Sequence, residues 1–170
     1  MAYSDGTSLN YKRWDYTQTQ KGDTLIIEES GASCPSLAFL PTGDIVCVYG
    51  YNGNVVYRTH NLDSDYSWET VMTIISGRTC PDMITDKTLS GKFYIACLDG
   101  STIYFYQSDP ADDPSDLTFT GITPTIVATD ADSGRSPSIT FDSRGYFVVV
   151  YVDTGGDLAS KESADGVTWS

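Results

Sequence analysis

The side chains best equipped for chemistry in this chain are four cysteines, one histidine, five arginines and a pair of closely spaced aspartates. The cysteines are Cys34, Cys47, Cys80 and Cys97, and none has the C-x-x-C spacing of a zinc ribbon or a thioredoxin-type centre. Taken singly they are small apolar core residues. The rival reading is a Cys34–Cys80 disulfide, which fits only if the loops carrying them are neighbours in space. His60 stands at a strand end with no serine or cysteine partner and is read as a surface residue. In Asp130-Ala131-Asp132-Ser133-Gly134, carboxylates alternate before a glycine, as in loops that wrap a hard cation. A closing bidentate glutamate is missing, so Asp130 and Asp132 are read first as a solvated loop and only second as a calcium site. The acidic stretch 108–116 is likewise read as loop, and no cofactor is expected.

These residues are positioned by a repeat. Three stretches align on a proline: SGASCPSLAFLPTGDIVCVYG from Ser30, SGRTCPDMITDKTLSGKFYIACLDG from Ser76, and SGRSPSITFDSRGYFVVVYVD from Ser133. Each runs from a Ser-Gly loop through Pro35, Pro81 or Pro137 into a short alternating strand, a glycine turn and a strongly apolar strand. The match extends upstream without a gap, TLIIEESGASCP on TVMTIISGRTCP, at an offset of 46 residues (70 − 24). The spacing widens to 56 between Pro81 and Pro137 (137 − 81), where SDPADDPSD is inserted. A period in this range is that of propeller blades.

Each unit reads as four strands, A to D. Strand A is expected at 36–40, 82–86 and 138–142, and strand B at 45–50, 92–98 and 146–152. Strand C is expected at 55–59, 102–107 and 157–162, and strand D at 70–75 and 117–128. The N-terminus adds an extra C strand at 9–13 and D strand at 24–28. The B strands are almost continuously apolar, as strands covered on both faces must be. The turns YNGN, LDGS and DTGGD carry glycine, and no stretch holds helical periodicity over three turns. The class is therefore all-β, one domain over 1–170: a partial blade 1–29, blades 30–75 and 76–128, and a partial blade 129–170.

Bulk properties narrow the partners. The net charge of -13 repels phosphate backbones and anionic lipid, so nucleic acid is a poor partner. No apolar run approaches the roughly 20 residues of a membrane helix, and membrane insertion is not expected. Twelve tyrosines and three tryptophans supply rings that either fill β cores or stack on sugars.

CPSLAFLPTGDIVCVYG and RSPSITFDSRGYFVVVY resemble the opening strand pair of sialidase-like blades, and ESADGVTW resembles the Asp-box (BNR) turn between strands C and D. The usual box is S-x-D-x-G-x-T-W. Here Gly166, Thr168 and Trp169 fit, while Ser163 and Asp165 lie one place off, so the pattern holds if the turn is shortened. DSDYSW (63–68) is a weaker echo. In such a box a carboxylate and a hydroxyl bind the turn's own N–H groups, glycine takes the positive-φ position and tryptophan plugs between sheets. The expected role of these residues is structural.

The resemblance implies an arginine triad for a sugar carboxylate, a Tyr–Glu nucleophile pair and an acid/base aspartate. Only Arg135 sits in an R-x-P context, and Ser33 and Thr79 take its place in the other repeats. Arg144 falls in an A–B turn, and Arg13 and Arg58 fall on C strands. No Tyr–Glu pair can be assigned, which leans against catalysis. The expectation is a non-catalytic propeller module that binds a glycan or a surface protein in an extracellular or virion setting. Its site is expected at the axial mouth, built from Ser33, Arg78, Thr79, Arg135 and Ser136, with Tyr51 and Tyr57 as candidates for sugar stacking. The alternatives are a structural part of a phage fibre or other assembly, and a fragment of a sialidase-like hydrolase. The chain holds about three blades cut out of phase, and a closed propeller needs at least four. Bare edges invite association, so a homo-oligomer, such as two chains closing a six-bladed ring, or a larger assembly is expected.

Overall fold

A computed structural model describes residues 1–5, 7–14, 20–28, 30–39, 44–60, 68, 72–86, 92–108 and 123–170. It contains four antiparallel sheets, each a meander of consecutive strands. The first is β1 (Ala2–Ser4), β2 (Leu9–Trp14) and β3 (Gln20–Glu28); the second is β4 (Ala32–Phe39), β5 (Ile45–Tyr51), β6 (Asn54–His60) and β7 (Met72–Ser76). The third is β8 (Thr79–Thr85), β9 (Phe93–Asp99), β10 (Thr102–Gln107) and β11 (Thr125–Ala128); the fourth is β12 (Ser138–Phe141), β13 (Phe147–Val152) and β14 (Leu158–Ser163). Beyond β14, Ser170 exchanges two 3.1 Å backbone hydrogen bonds with Glu162, where a fourth strand of that sheet would pair. β4 lies along β8 and β8 along β12, which makes these the innermost strands, while β1 meets β4.

The apolar B strands are buried because they face two neighbours at once. In β5, Val46 and Val48 point into a core shared with Met83, Phe93, Ile95 and Cys97 of the third sheet. The alternate residues Ile45, Cys47 and Tyr49 pack on Leu9, Tyr11 and Ile27 of the first sheet. β9 repeats the pattern: Tyr94, Ala96 and Leu98 turn the other way, onto Ile139, Phe147 and Val149 of the fourth sheet. Three inter-sheet cores thus join four sheets, and each fully buried Leu, Ile, Val or Phe contributes about 1.5–3 kcal/mol. The β5–β6 hairpin turns on Asn52 (φ 50°) and Gly53 (φ 74°), the left-handed pair that matches strand twist.

Two expectations are corrected. Strands β4 and β8 begin at Ala32 and Thr79, not at 36 and 82, so part of each Ser-Gly loop is already strand. A bulge between Ser33 and Ser36, and another between Thr79 and Asp82, lets pairing run past the proline, with Cys34 (φ 51°) and Cys80 (φ 48°) in the left-handed region. β12 has no such extension and starts after Pro137. His60 is not a surface residue: it is 3% exposed. Its ring packs 5.9 Å from Tyr11 and 5.2 Å from Trp68, because β6 runs one residue further than its turn signals imply. The expected D-strand residues 70, 71 and 117–122, the loop 109–116 and the echo 63–67 lie outside the described residues. No helix is long and apolar enough to cross a membrane among the described residues.

Candidate functional site

The three proline motifs converge at one end of the innermost strands. The residue after each proline is Ser36, Asp82 or Ser138, and Asp82 ties the three together. Its carboxylate accepts hydrogen bonds from Ser36 Oγ at 2.7 Å, Ser138 Oγ at 3.0 Å and the Ile139 backbone N–H at 2.9 Å. It also accepts from the N–H of Met83 at 3.0 Å. One carboxylate therefore cross-links β4, β8 and β12 around the axis.

The residue before each proline is Cys34, Cys80 or Ser136. The Cys34 and Cys80 sulfurs lie 2.9 Å apart. The Ser136 hydroxyl stands near both thiols, Ser33 near Cys34, and Thr79 near Cys80. The hydrogen bond shared with Cys80, aided by Ser136 and Ser33, lowers the Cys34 pKa to about 6 against the opposing effect of burial. The same shared proton pushes Cys80 up. Cys47 and Cys97 are buried core residues, and burial raises both thiols. Of the residues expected at the mouth, Ser33, Thr79 and Ser136 are thus brought together, exposed around the cysteine pair.

The arginines of the mouth do not converge on a common point. Arg78 donates to Asp99 Oδ2 at 2.6 Å and to its neighbour Gly77 O at 3.1 Å. Its guanidinium lies 4.2 Å from the centre of the Tyr104 ring, with Tyr106 nearby. Arg135 is exposed and pairs with Asp132 at 3.4 Å. Arg144 sits in the β12–β13 turn with Asp142 and Glu162, both at 2.6 Å, and Arg58 Nε donates to the Tyr49 hydroxyl at 3.2 Å. Tyr57 is buried in the core between the second and third sheets, so it fills space there and offers no face to a sugar. Tyr51 is half-buried, edge-on to Tyr49 at 6.4 Å. Asp132 accepts from the N–H of Gly134 at 2.9 Å, while Asp130 accepts from the Tyr151 hydroxyl at 3.2 Å. The two carboxylates therefore serve different partners.

At the outer end of the fourth sheet, the Ser163–Trp169 turn is closed by its own side chains. Ser163 Oγ accepts from Gly166 N–H at 2.9 Å, and Asp165 Oδ1 from Val167 and Thr168 N–H at 2.8 and 2.9 Å. Those backbone donors, Thr168 first, hold the Asp165 carboxyl below its ordinary pKa. Gly166 (φ 73°) packs under Phe105, and Trp169 stands edge-on to the same ring at 5.3 Å. Beside this turn is a cleft of about 200 Å³ lined by Gln107, Ser108, Thr123, Thr125 and Asp165.

Sequence reasoning missed Asp82, Asp99 and Tyr104. For Asp82 a signal existed, because the repeat alignment puts a carboxylate between two serines at the same position. Asp99 and Tyr104 reach Arg78 only through the β9–β10 hairpin, a proximity with no local trace.

The sequence matches no protein-family model and no curated protein. Among solved structures, the chain is similar to a mutant of the Aleuria aurantia lectin in complex with α-methyl-L-fucoside. That match has 13% identity, covers 99% of this chain and 53% of that one, and has a TM-score of 0.66. It is also similar to the structure described as a six-bladed β-propeller fungal lectin with a novel fucose recognition mode, again from Aleuria aurantia. There the identity is 13%, the coverage 98% and 52%, and the TM-score 0.63. A protein of unknown function from Dyadobacter fermentans matches with 15% identity, coverage of 96% and 57%, and a TM-score of 0.62. The chain spans about half the length of these structures. Its fold is that of a β-propeller, present here as an incomplete ring of three- and four-stranded sheets among the described residues.

Proposed function

We propose that this chain is a non-catalytic, carbohydrate-binding propeller module of an extracellular setting, holding a neutral saccharide beside the axial mouth at Arg78. The observation that carries this reading is the Arg78 constellation. A guanidinium held 4.2 Å over the Tyr104 ring and anchored to Asp99 is pre-organised, so engaging its N–H groups costs little entropy. Asp99, with 48% of its side chain exposed, supplies acceptors next to those donors. Adjacent donors and acceptors suit the vicinal hydroxyls of a sugar, and exposed Thr79 and Ser33 extend the polar rim.

Charge argues for a neutral sugar. Binding a sugar carboxylate calls for several unpaired cations facing one point, whereas Arg78 and Arg135 are each turned to a different aspartate. The chain's charge of -13 also repels anionic glycans. The fold shared with fucose lectins supports the class of ligand and makes fucosylated glycans the first probes.

The test is a glycan array carrying neutral fucosylated and sialylated structures, followed by calorimetry on wild type and Arg78→Ala. The reading expects neutral glycans to bind and the variant to lose tenfold or more in affinity, as for a charge-assisted hydrogen bond of about 1.5–3 kcal/mol. A folded chain that binds no glycan would refute it. Cleavage of a sialoside would place the chain with hydrolases instead.

A further inference from the structure

Cys34 and Cys80 do not behave as the core cysteines do. They occupy the same place in successive repeats, each at a bulge with left-handed backbone, and each is only half-buried. Their sulfurs are 2.9 Å apart, so less than an ångström of movement reaches the roughly 2.05 Å of a disulfide. Such closeness across two sheets needs both bulges. In the third repeat Ser136 stands at the matching position, near both sulfurs. The other two cysteines are sealed in inter-sheet cores.

We infer that Cys34 and Cys80 are a reversible redox pair whose disulfide ties β4 to β8 at the axial mouth, formed by exchange with a low-molecular-weight disulfide. Either thiol can open the exchange, since the two sulfurs are in contact at 2.9 Å, and Cys34 is taken here as the first. The thiolate attacks one sulfur of the external disulfide, breaks its S–S bond and releases one thiolate, leaving a mixed disulfide on Cys34. Cys80 gives its proton to solvent and attacks Cys34 Sγ, releasing the second thiolate. The protein loses two electrons and two protons, and the external disulfide becomes two thiols. The inference does not depend on which ligand the propeller binds.

The test treats the full chain with glutathione disulfide, then unfolds it and alkylates every free thiol. Two alkylated cysteines are expected in place of four, with one crosslinked peptide pair joining Cys34 to Cys80, and dithiothreitol restores four. Cys80→Ser and Cys34→Ser should each stop at one glutathione, bound to the cysteine that remains of the pair. The oxidised wild type should melt at a higher temperature than the reduced form, a difference absent from both variants. Four free thiols after treatment, or a crosslink through Cys47 or Cys97, would overturn the inference.

Discussion

Removing the Asp82 carboxylate should loosen three blades at once. In Asp82→Ala the hydrogen bonds from Ser36, Ser138 and Ile139 all lose their acceptor. Charge-assisted bonds are worth about 1.5–3 kcal/mol each, which would total roughly 5–9 kcal/mol if none could be replaced. Ser138 is exposed and Ser36 half-buried, so water can take over for both hydroxyls. Ile139 is 3% exposed, and its N–H is left without an acceptor at a cost of about 1–3 kcal/mol. The net loss is therefore about 2 kcal/mol. With a urea m-value of about 2 kcal/mol/M, the unfolding midpoint should fall by about 1 M. Asp82→Asn keeps one oxygen and should lose about half as much. Hydrogen exchange should accelerate first at Ile139. A midpoint shift below about 0.3 M for alanine, or equal shifts for alanine and asparagine, would refute the idea that this carboxylate clamps the axis.

Three further outcomes follow from the same geometry. Gly166→Ala places a Cβ 2.6 Å from Phe105 at φ 73°, so it should cost about 2–4 kcal/mol in chemical denaturation; a neutral result would mean the turn is not packed on that ring. Asp165 has a folded pKa below its ordinary value, so its stabilisation is complete above that ordinary value and is lost as pH falls through the folded one. Asp165→Asn should accordingly flatten the acid limb of a thermal-melt pH profile. Iodoacetamide should modify native Cys34 with a half-maximal rate near pH 6, whereas an ordinary thiol midpoint would show that its neighbours do not stabilise the thiolate.

Much of the fold is legible because propeller physics is repetitive. The offset of 46 residues between the first two proline motifs, and B strands apolar on both faces, point to a repeated all-β fold with its core between sheets. Side-chain direction is harder to read. Tyr51 and Tyr57 look alike in sequence, but one is half-buried at a turn and the other sealed between sheets. His60 was misread because a strand end is not the same as an exposed position once Trp68 covers it. The nearness of Ser33 and Thr79 was visible in the repeat, since each stands two residues before its proline, whereas Ser136 joins them from the position that Cys34 and Cys80 hold in the other repeats. The bulges that bring Cys34 to Cys80 were not, because left-handed cysteines leave no compositional trace. Neither were the carboxylates that draw Arg78 and Arg135 apart.

The most direct test of the account is a titration of the isotope-labelled chain with methyl α-L-fucoside, followed residue by residue by backbone NMR shifts. The account predicts saturable shifts centred on Gly77–Thr79 and on the Asp99–Thr102 hairpin, abolished in Arg78→Ala while the rest of the spectrum stays native. No shifts from a folded chain, or shifts confined to the cleft beside Asp165, would contradict it.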